Sequence, residues 1–418
     1  MKSTFDTAAA MERRFEEYVH ELGAVVGHDA RRRGLGDYVG GLLLPGGRKS
    51  MEPIAERLDP DNVSRRHQAI QHFVSEANWS DAAVRERVRA QVIPALRARA
   101  PIEHLILDDT TLPKSGRHSV GVAVQYCGRI HATANCQTLV SLSLSNGHDS
   151  LPVACELYLP ESWAHDRKRR LHAGVPPAVR FRTKPEIALD QLRWAAAAGL
   201  PGRVVLMDAA YGGVQSMRGG VREIGLDYAA AVPGDLLAAP VGSGLSAELR
   251  RGRRGEARAG AARVDVLARD LGPGDWQAVE WREGGAKPLS GRYAARRVRT
   301  APSDAPGWLG PEEWLLIEDA DAPGDRSHWL ISLPADTPLT DLVRHAKGRW
   351  RVERDYRELK QEVGLGHFEG RSWRGLNHHV TLCLAAYGFL VRERSLFPPR
   401  HPGPQLPGNQ HPGPPGPP

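Results

Sequence analysis

Cysteine is scarce in this chain, and no two cysteines are close neighbours in the sequence. The four are Cys127, Cys136, Cys155 and Cys383, and none belongs to a Cys-x-x-Cys motif. Such pairs usually indicate a structural zinc site, and many regularly spaced cysteines indicate a disulfide framework. We therefore expect neither a zinc site nor disulfides, and reduced thiols fit a cytosolic protein best.

Long apolar runs and a secretory signal are also missing. A membrane helix needs roughly 20 consecutive apolar residues, and no segment of the chain provides them. Residues 1–19 carry charges throughout and have no apolar core. These absences predict a soluble cytoplasmic protein without a membrane partner.

Acidic residues are outnumbered by basic ones. The 418 residues carry a formal net charge of +7, with a pI of about 9.4, which favours a polyanionic partner. A chain of this length can hold two or three domains. The basic residues occur in runs, each of which alone is more often a solvated face than a binding site. The runs are Arg31–Arg33, Arg167–Arg170, Arg250–Arg254 and Arg349–Arg357.

The residue patterns change along the chain and predict its organisation. Up to about residue 100, apolar residues recur at helical spacing, which indicates a compact helical domain that either reads DNA or serves as a scaffold or dimerisation module. From residue 102, short apolar runs broken by Gly, Asn and Asp indicate strands, with one helix ending at Gly199. Strands with an interleaved helix predict a mixed α/β core.

The second half of the chain continues this pattern and completes the predicted fold class. Residues from about 230 to 335 again favour strands, a helix follows over 340–363, and the Pro/Gly-rich tail cannot pack a core. We expect an α/β protein with a mixed-sheet core, a helical N-terminal domain and a β-rich insertion. The predicted units are 1–100 (helical, DNA-binding), 101–232 (core, first part), 233–336 (insertion), 337–396 (core, second part) and 397–418 (disordered tail).

Two carboxylates follow apolar runs that have strand character. Asp108 ends the run in HLILDD, and Asp208 ends the run in RVVLMD. In open α/β sheets functional groups gather at the carboxyl ends of strands, although a single Asp after a strand more often only begins a turn. Side chains alternate along a strand, so one of the neighbours Asp108 and Asp109 faces the site. We choose Asp108 and keep Asp109 as its rival.

A third acid lies on the helix predicted over 340–363. An apolar stripe there faces the core, and Arg349, Glu353 and Lys360 lie within about 40° of one another at one edge of it. The simpler interpretation is an ordinary surface ion pair between Arg349 and Glu353. The functional interpretation is a metal-binding acid between two cations that bind phosphate. The stripe consists of Val352, Tyr356, Leu359 and Val363.

Three such acids suit the hydrolysis of phosphodiesters. The reaction needs an activated water and a stabilised leaving oxygen, and two Mg²⁺ ions roughly 3.5–4 Å apart supply both. Carboxylate oxygens are the ligands that Mg²⁺ prefers. On a basic chain, the three acids therefore indicate metal-dependent chemistry on nucleic acid.

The three segments that carry these acids resemble the catalytic regions of DDE-type transposases of bacterial insertion sequences. They are LDDTTLPKSGRHSVGV, VLMDAAYG and RWRVERDYRELKQEVGLGHFEGRSWRGLNHH, and the resemblance covers roughly residues 35 to 395. The most similar branch has a β-rich insertion before the Glu and a Tyr-Arg-Glu-Lys signature around it. Arg349, Glu353 and Lys360 reproduce the last three members, whereas Ala346 stands at the Tyr position.

The resemblance implies an RNase H-like core in which Asp108, Asp208 and Glu353 hold two Mg²⁺ ions, with Mn²⁺ as a substitute metal. It implies that Arg349 and Lys360 contact DNA phosphates, and we expect the same of Arg357 and Lys114, although a solvated loop is an equally good interpretation for Lys114. It further implies that an aromatic residue of the insertion stacks on a distorted base, although a Trp at strand spacing more often belongs to a core. The available residues are Trp276, Trp281, Trp308, Trp314 and Trp329.

The function implied is that of a transposase acting on double-stranded DNA as a homodimer in the bacterial cytoplasm, at the nucleoid. It binds the terminal repeats of its element, cleaves there and joins the 3′-hydroxyl ends to target DNA. Two alternatives stay open: an RNase H-like nuclease without strand transfer, and an inactive or domesticated DNA-binding protein.

Three further residues receive structural interpretations. His378 and His379 precede the last predicted helix, and we expect them to cap or pack it. Gly212, which follows Asp208, is expected to provide a backbone conformation that other residues resist.

Overall fold

The computed structural model of this chain describes residues 4–128, 130–242, 261–282, 289–301, 309–319 and 326–398. The run Arg250–Arg254, Trp308 and nearly all of the predicted tail lie outside these ranges. Within them, no helix is both long and apolar enough to span a bilayer.

The N-terminal part consists of helices that pack against the last helix of the chain. Ser80 caps the fifth of these helices, because its side chain accepts a hydrogen bond from the amide of Ala83 at 3.2 Å. The hydroxyl of Tyr18 donates to the carbonyl of Ala385 on the last helix at 2.8 Å. The helices are α1 (Thr4–Gly23), α2 (Asp29–Leu43), α3 (Met51–Leu58), α4 (Val63–Ser75) and α5 (Asp81–Arg99).

Five strands form the centre of the fold in the order β4-β3-β1-β5-β6. β1, β3 and β4 are antiparallel neighbours, whereas β5 and β6 run parallel to β1. This order and these directions are those of an RNase H-like core, so the predicted fold class is confirmed. The elements are β1 (His104–Pro113), β2 (Ala123–Cys127), β3 (Ala132–Ser145), β4 (Ser150–Tyr158), α6 (Glu161–Ala164), α7 (Arg167–Ala173), α8 (Lys184–Ala197), β5 (Val204–Met207), α9 (Ala209–Gly212), α10 (Gln215–Glu223) and β6 (Asp227–Val232).

The β-rich insertion extends the same sheet. β12 pairs antiparallel with β6, from His328 opposite Val232 to Ile331 opposite Ala229, and further strands follow outward in the order β11-β10-β7-β8, with β9 also paired to β10. Twelve strands of the described residues thus belong to one sheet. The elements are β7 (Leu237–Pro240), β8 (Ala262–Arg263), α11 (Val264–Arg269), β9 (Gln277–Arg282), β10 (Leu289–Thr300), β11 (Glu312–Glu318) and β12 (Ser327–Ile331).

The prediction of a single helix over 340–363 is wrong. The chain forms α12 (Leu339–Lys347), α13 (Trp350–Gln361) and then α14 (Trp373–Leu396), and the first interruption falls at Gly348. Glycine is a poor helix former, and a Cβ atom on Gly348 would lie 3.0 Å from the Leu206 side chain on β5. The predicted apolar stripe is nevertheless buried, with Val352 and Leu359 completely inaccessible.

His378 and His379 lie within α14 and pack in the interior, so their predicted structural role is confirmed and their placement before the helix is wrong. The His378 ring stacks on Trp79 with ring centroids 3.7 Å apart. The hydroxyl of Tyr38 lies 2.9 Å from Nδ1 of His379, whose Nε2 is 3.2 Å from the carbonyl of Leu365. These contacts suit a neutral imidazole that accepts from Tyr38 and donates to Leu365.

Acidification is expected to destabilise the fold through this histidine. Burial is the largest cause that lowers the pKa of His379, to about 3, so the folded chain binds fewer protons than the unfolded chain below the ordinary value of about 6.5. The stability present at pH 7 is therefore lost as the pH falls through 6.5 toward 3. By pH 5 the loss from His379 alone is about 2 kcal/mol, at 1.36 kcal/mol per pKa unit.

Urea unfolding at pH 7 and pH 5 measures this loss, with His379→Gln as the comparison. Glutamine keeps one acceptor for Tyr38 and one donor for Leu365 but does not titrate. We expect the variant to lose about 2 kcal/mol less than the wild type between the two pH values. Equal losses in both proteins contradict the assignment.

Candidate active site

The sheet brings Asp108 and Asp208 together because β1 extends beyond the end of its neighbour β5. The prediction that Asp108 stands at the end of a strand is wrong, since β1 continues to Pro113. β5 pairs with β1 only from His104 to Ile106, so Asp108 lies just beyond the end of β5. Asp208 follows the last residue of β5 directly. Asp108 is 8% exposed, which makes it a buried carboxylate.

Asp208 is held in place as the N-cap of the short helix α9. One of its carboxylate oxygens accepts hydrogen bonds from the amides of Ala210 and Tyr211 at 3.0 and 3.1 Å. The predicted reason for a glycine at position 212 is wrong, because the φ angle of Gly212 is not in the left-handed region. A Cβ atom there would instead meet the carbonyl oxygen of Ala231 at 2.0 Å, so glycine permits α9 to lie against β6.

Arg349 lies among the three predicted acids. Its Nη2 is 2.6 Å from Asp108 and 3.7 Å from Asp208, and its Nη1 is 4.0 Å from Glu353. The simple ion pair with Glu353 that the helical spacing indicates is therefore present, but the tightest contact is with Asp108. The sequence prediction treated Arg349 as a phosphate contact. It missed the pairing of Arg349 with Asp108 and Asp208, because that pairing depends on the tertiary fold.

Charge interactions in this group follow from burial. Burial is the largest cause that raises the pKa of Asp108, to about 6, and the nearby Asp208 and Asp109 raise it further, whereas Arg349 opposes the rise. Burial alone lowers the pKa of Arg349, but Asp108 and Asp208 reverse this, and the net pKa is above its ordinary value. Arg349 therefore offsets part of the cost of burying the charge of Asp108.

Glu353 faces the same open cleft from helix α13. Its side chain is 67% exposed, and the cleft has a volume of about 940 Å³ with all three acids in its walls. Tyr356, one turn away from Glu353, is buried, and its hydroxyl bonds to that of Ser141 on β3. The hydroxyl of Ser141 in turn donates to the backbone carbonyl of Asp108 at 3.4 Å. These hydrogen bonds connect α13 to the strand that carries Asp108.

Cations also line this cleft. Arg357 and Lys360, predicted to contact DNA, lie in its wall, and so does Lys184, which the sequence interpretation missed. Lys184 begins α8 directly after the capping residue Thr183 and forms an ion pair with Asp109. The capping motif predicts the helix start but not this partner.

The ion pair of Asp109 with Lys184 distinguishes it from Asp108. Its carboxylate is engaged by Lys184, whereas Asp108 has the contact with Arg349 and the proximity to Asp208. This arrangement favours Asp108 as the acid that acts together with Asp208.

Lys114, the other predicted DNA contact, lies outside the cleft. Its ammonium group donates to the carbonyl of Phe368 at 2.6 Å, and burial lowers its pKa to about 8. It lines a neighbouring cavity together with His118.

No tryptophan in the described part of the insertion lines the cleft. Trp329 is 8% exposed, and the indole of Trp314 donates to the carbonyl of Pro334 at 2.9 Å. Arg292 and Arg326 approach the ring of Trp276. The predicted base-stacking residue therefore stays a prediction, and its candidate Trp308 lies outside the described residues.

The donor set has the right chemistry for a divalent metal ion. As the side chains stand, no three His, Cys, Asp or Glu groups of the described chain converge on one point. Asp108 and Asp208 nevertheless flank one guanidinium nitrogen, and Glu353 lies at the other nitrogen of the same group. Hard oxygen donors around a single positive charge fit Mg²⁺ or Mn²⁺ in kind.

Comparison with known proteins assigns the family. The family model described as DDE superfamily endonuclease matches residues 21–288, more than half of the chain. The chain belongs to the DDE superfamily of endonucleases. This confirms the resemblance found in the sequence, and enzymes of this superfamily generally use divalent metal ions. The matched region contains Asp108 and Asp208 but ends before Glu353, so the third acid rests on the helical spacing and the cleft.

Two individual proteins are similar to this chain. A probable transposase for insertion sequence element IS701 from Microchaete diplosiphon is 29% identical over 165 residues, which are 40% of this chain and 39% of that relative. The chain thus matches less than half the length of this relative. The piggyBac transposase in a synaptic complex with hairpin DNA covers 88% of this chain and 66% of its own, at 11% identity and a TM-score of 0.45.

Proposed function

We propose that this DDE endonuclease is a DNA transposase that cleaves the ends of its own element and joins them to target DNA. The observation that carries the proposal is the gathering of Asp108, Asp208 and Glu353 around one guanidinium group in a cleft that is also lined by cations. The match of part of the chain to an insertion-sequence transposase supports it.

In this proposal Asp108, Asp208 and Glu353 would hold two Mg²⁺ ions, which would supply a nucleophilic water and stabilise the leaving oxygen when bound. Asp108 needs a compensating cation because burial disfavours its charged form and raises its pKa. Arg349 supplies this charge within the chain and keeps the acids in position. Lys360 and Arg357, in the wall of the same cleft, bind the phosphates on either side of the scissile bond.

The reaction has two balanced steps. Water attacks the phosphorus at the end of the element, the P–O3′ bond breaks, and the products are a 5′-phosphate and a 3′-hydroxyl that takes up a proton. That hydroxyl then attacks a phosphorus of the target strand, loses its proton and displaces the 3′-oxygen there. Two ends must be handled together, so the proposed active form is a homodimer on double-stranded DNA.

The test uses the DNA that flanks this gene. Purified protein is incubated with a duplex that contains the flanking inverted repeats, and with a scrambled duplex of equal length, in Mg²⁺, in Mn²⁺ and in chelator. A supercoiled target plasmid is present. We expect metal-dependent cleavage of the repeat duplex alone and covalently joined products in the plasmid.

The other outcomes identify the rival functions. Cleavage without joined products indicates a nuclease that lacks strand transfer. Binding of the repeats without cleavage in either metal indicates an inactive DNA-binding protein. If the protein neither binds nor cleaves the repeat duplex, the whole proposal is refuted.

A further inference from the structure

The active-site cleft has a neighbour with which it shares part of its wall. The second cavity has a volume of about 590 Å³, and Gly47 and His367 line both spaces. The two cavities therefore adjoin one another at these two residues.

The balance of charge differs between the two cavities. The active-site cleft has more acids than cations: Asp108, Asp109, Asp208 and Glu353 against Lys184, Arg357 and Lys360. The second cavity has Arg48, Lys114, Arg371 and two histidines in its wall, and Glu369 is the single acid among its described lining residues. An excess of positive charge in a concave surface attracts and holds phosphates.

We infer that the second cavity binds the backbone phosphates of the same DNA next to the nucleotides that occupy the active-site cleft. The inference rests on the proposed function, because it takes DNA as the substrate of the cleft. It gives the basic loops around the cleft a role that the carboxylates do not provide, which is to set the direction in which the DNA leaves the site.

The walls of the cavity are built into the fold. They come from the loop between α2 and α3, the loop after β1, and the segment between α13 and α14. The amide of Lys49 donates to Nδ1 of His367 at 3.0 Å, and Lys114 donates to the carbonyl of Phe368 at 2.6 Å. Because β1 carries Asp108 and α13 carries Glu353, the cavity has a fixed position relative to the acids.

The ion pair at the rim of the cavity suits exchange with a phosphate. Arg48 pairs with Glu369, and their side chains are 69% and 61% exposed. An exposed pair of this kind contributes little to stability, so a phosphate can replace the carboxylate at Arg48 at little cost.

Gly116 offers a sharp test, because it lines the cavity, has no positive φ and has no heavy atom within 4 Å of a Cβ placed on it. A side chain there enters open space and leaves the fold unchanged. Gly116→Asp puts a negative charge into the cavity, and Gly116→Lys puts a positive charge into the same position. Gly274 is equally open, lies outside both cavities, and provides the control Gly274→Asp.

The measurements are the affinity for the repeat duplex as a function of salt and the kinetic constants for cleavage. We expect Gly116→Asp to weaken binding about tenfold and to raise KM while kcat stays unchanged. Gly116→Lys and Gly274→Asp should bind at least as well as the wild type. The variant Arg48→Ala/Arg371→Ala should reduce the slope of log affinity against log salt by about 0.9 for each phosphate that the two arginines neutralise in the wild type.

The possible failures are distinguishable. If the wild type cleaves the repeat duplex while Gly116→Asp and Gly274→Asp behave alike, the inference is wrong and the proposed function stands. If the wild type neither binds nor cleaves, the proposed function fails first. A loss of kcat at constant KM in Gly116→Asp places the effect in the chemistry and also overturns the inference.

Discussion

Metal-dependent cleavage of end DNA is expected to fall by roughly a thousandfold or more when Asp108 or Asp208 is replaced by asparagine. A bound metal ion contributes several kcal/mol of transition-state stabilisation, and about 4 kcal/mol corresponds to a thousandfold in rate. Asparagine keeps the size of the side chain and one oxygen but removes the charge that attracts the ion. Single-turnover cleavage of the repeat duplex in Mg²⁺ measures the loss.

The two substitutions differ in their structural consequences, and this makes the result interpretable. Asparagine is a good N-cap, so Asp208→Asn leaves the start of α9 intact. Asp108→Asn removes the ion pair with Arg349. It also removes a charge that burial disfavours, since burial raises the pKa of Asp108 to about 6, and this offsets part of the loss. Neither change is expected to unfold the protein, and urea unfolding checks this for both.

The matched control is Asp190→Asn on the outer face of α8. Asp190 also pairs with arginines, Arg182 and Arg193, but its side chain is 46% exposed and it lies outside the cleft. Its activity should equal that of the wild type. If Asp208→Asn retains end-specific cleavage in Mg²⁺, Asp208 is not a catalytic residue and the proposed site is wrong.

The three acids could be predicted from the sequence because each has a local signature. Asp108 and Asp208 follow apolar runs of strand character, and Glu353 has its position fixed by the apolar stripe of α13. The partners of these acids were not accessible in the same way. Arg349 contacts Asp108 across 241 positions of sequence, and Lys184 contacts Asp109 across 75, so only the folded chain brings them together.

The same distinction applies to the fold. Local apolar patterns predicted helices, strands and a mixed α/β core, and the resemblance to DDE-type transposases implied the RNase H-like arrangement. They did not predict that β12 pairs with β6, because strand pairing depends on register between distant segments. The break at Gly348 was also missed, although glycine is a poor helix former. The close approach of Gly348 to Leu206 of β5 is visible only in the folded chain.

Asp149 provides the second large effect, which concerns stability. It is 1% exposed at the hairpin turn between β3 and β4. Its carboxylate accepts from Arg99 of α5 at 2.6 Å, from Arg351 of α13 at 2.9 Å and from the hydroxyl of Ser395 on α14 at 3.1 Å. One buried acid thus joins the N-terminal helices, the helix of Glu353 and the last helix.

Asp149→Ala is expected to lower the free energy of unfolding by about 3–5 kcal/mol, because it removes the anion of Arg99 and leaves the buried Arg351 with the more distant carboxylate of Asp355, at 3.9 Å. Urea unfolding monitored by far-UV circular dichroism measures this. Asp29→Ala is the control: its carboxylate also pairs with an arginine, Arg32, but is 81% exposed, so its removal should cost less than about 1 kcal/mol.

A double variant separates loss of charge balance from loss of packing. Arg351 is also buried: its side chain is 7% exposed, against 2% for that of Asp149. In Asp149→Ala/Arg351→Met one of the uncompensated charges is gone, so the double variant should be more stable than Asp149→Ala alone. If the two destabilisations simply add, the charge of Asp149 does not stabilise Arg351, and the position of α13 depends on its apolar stripe and on the contact of Tyr356 with Ser141 instead.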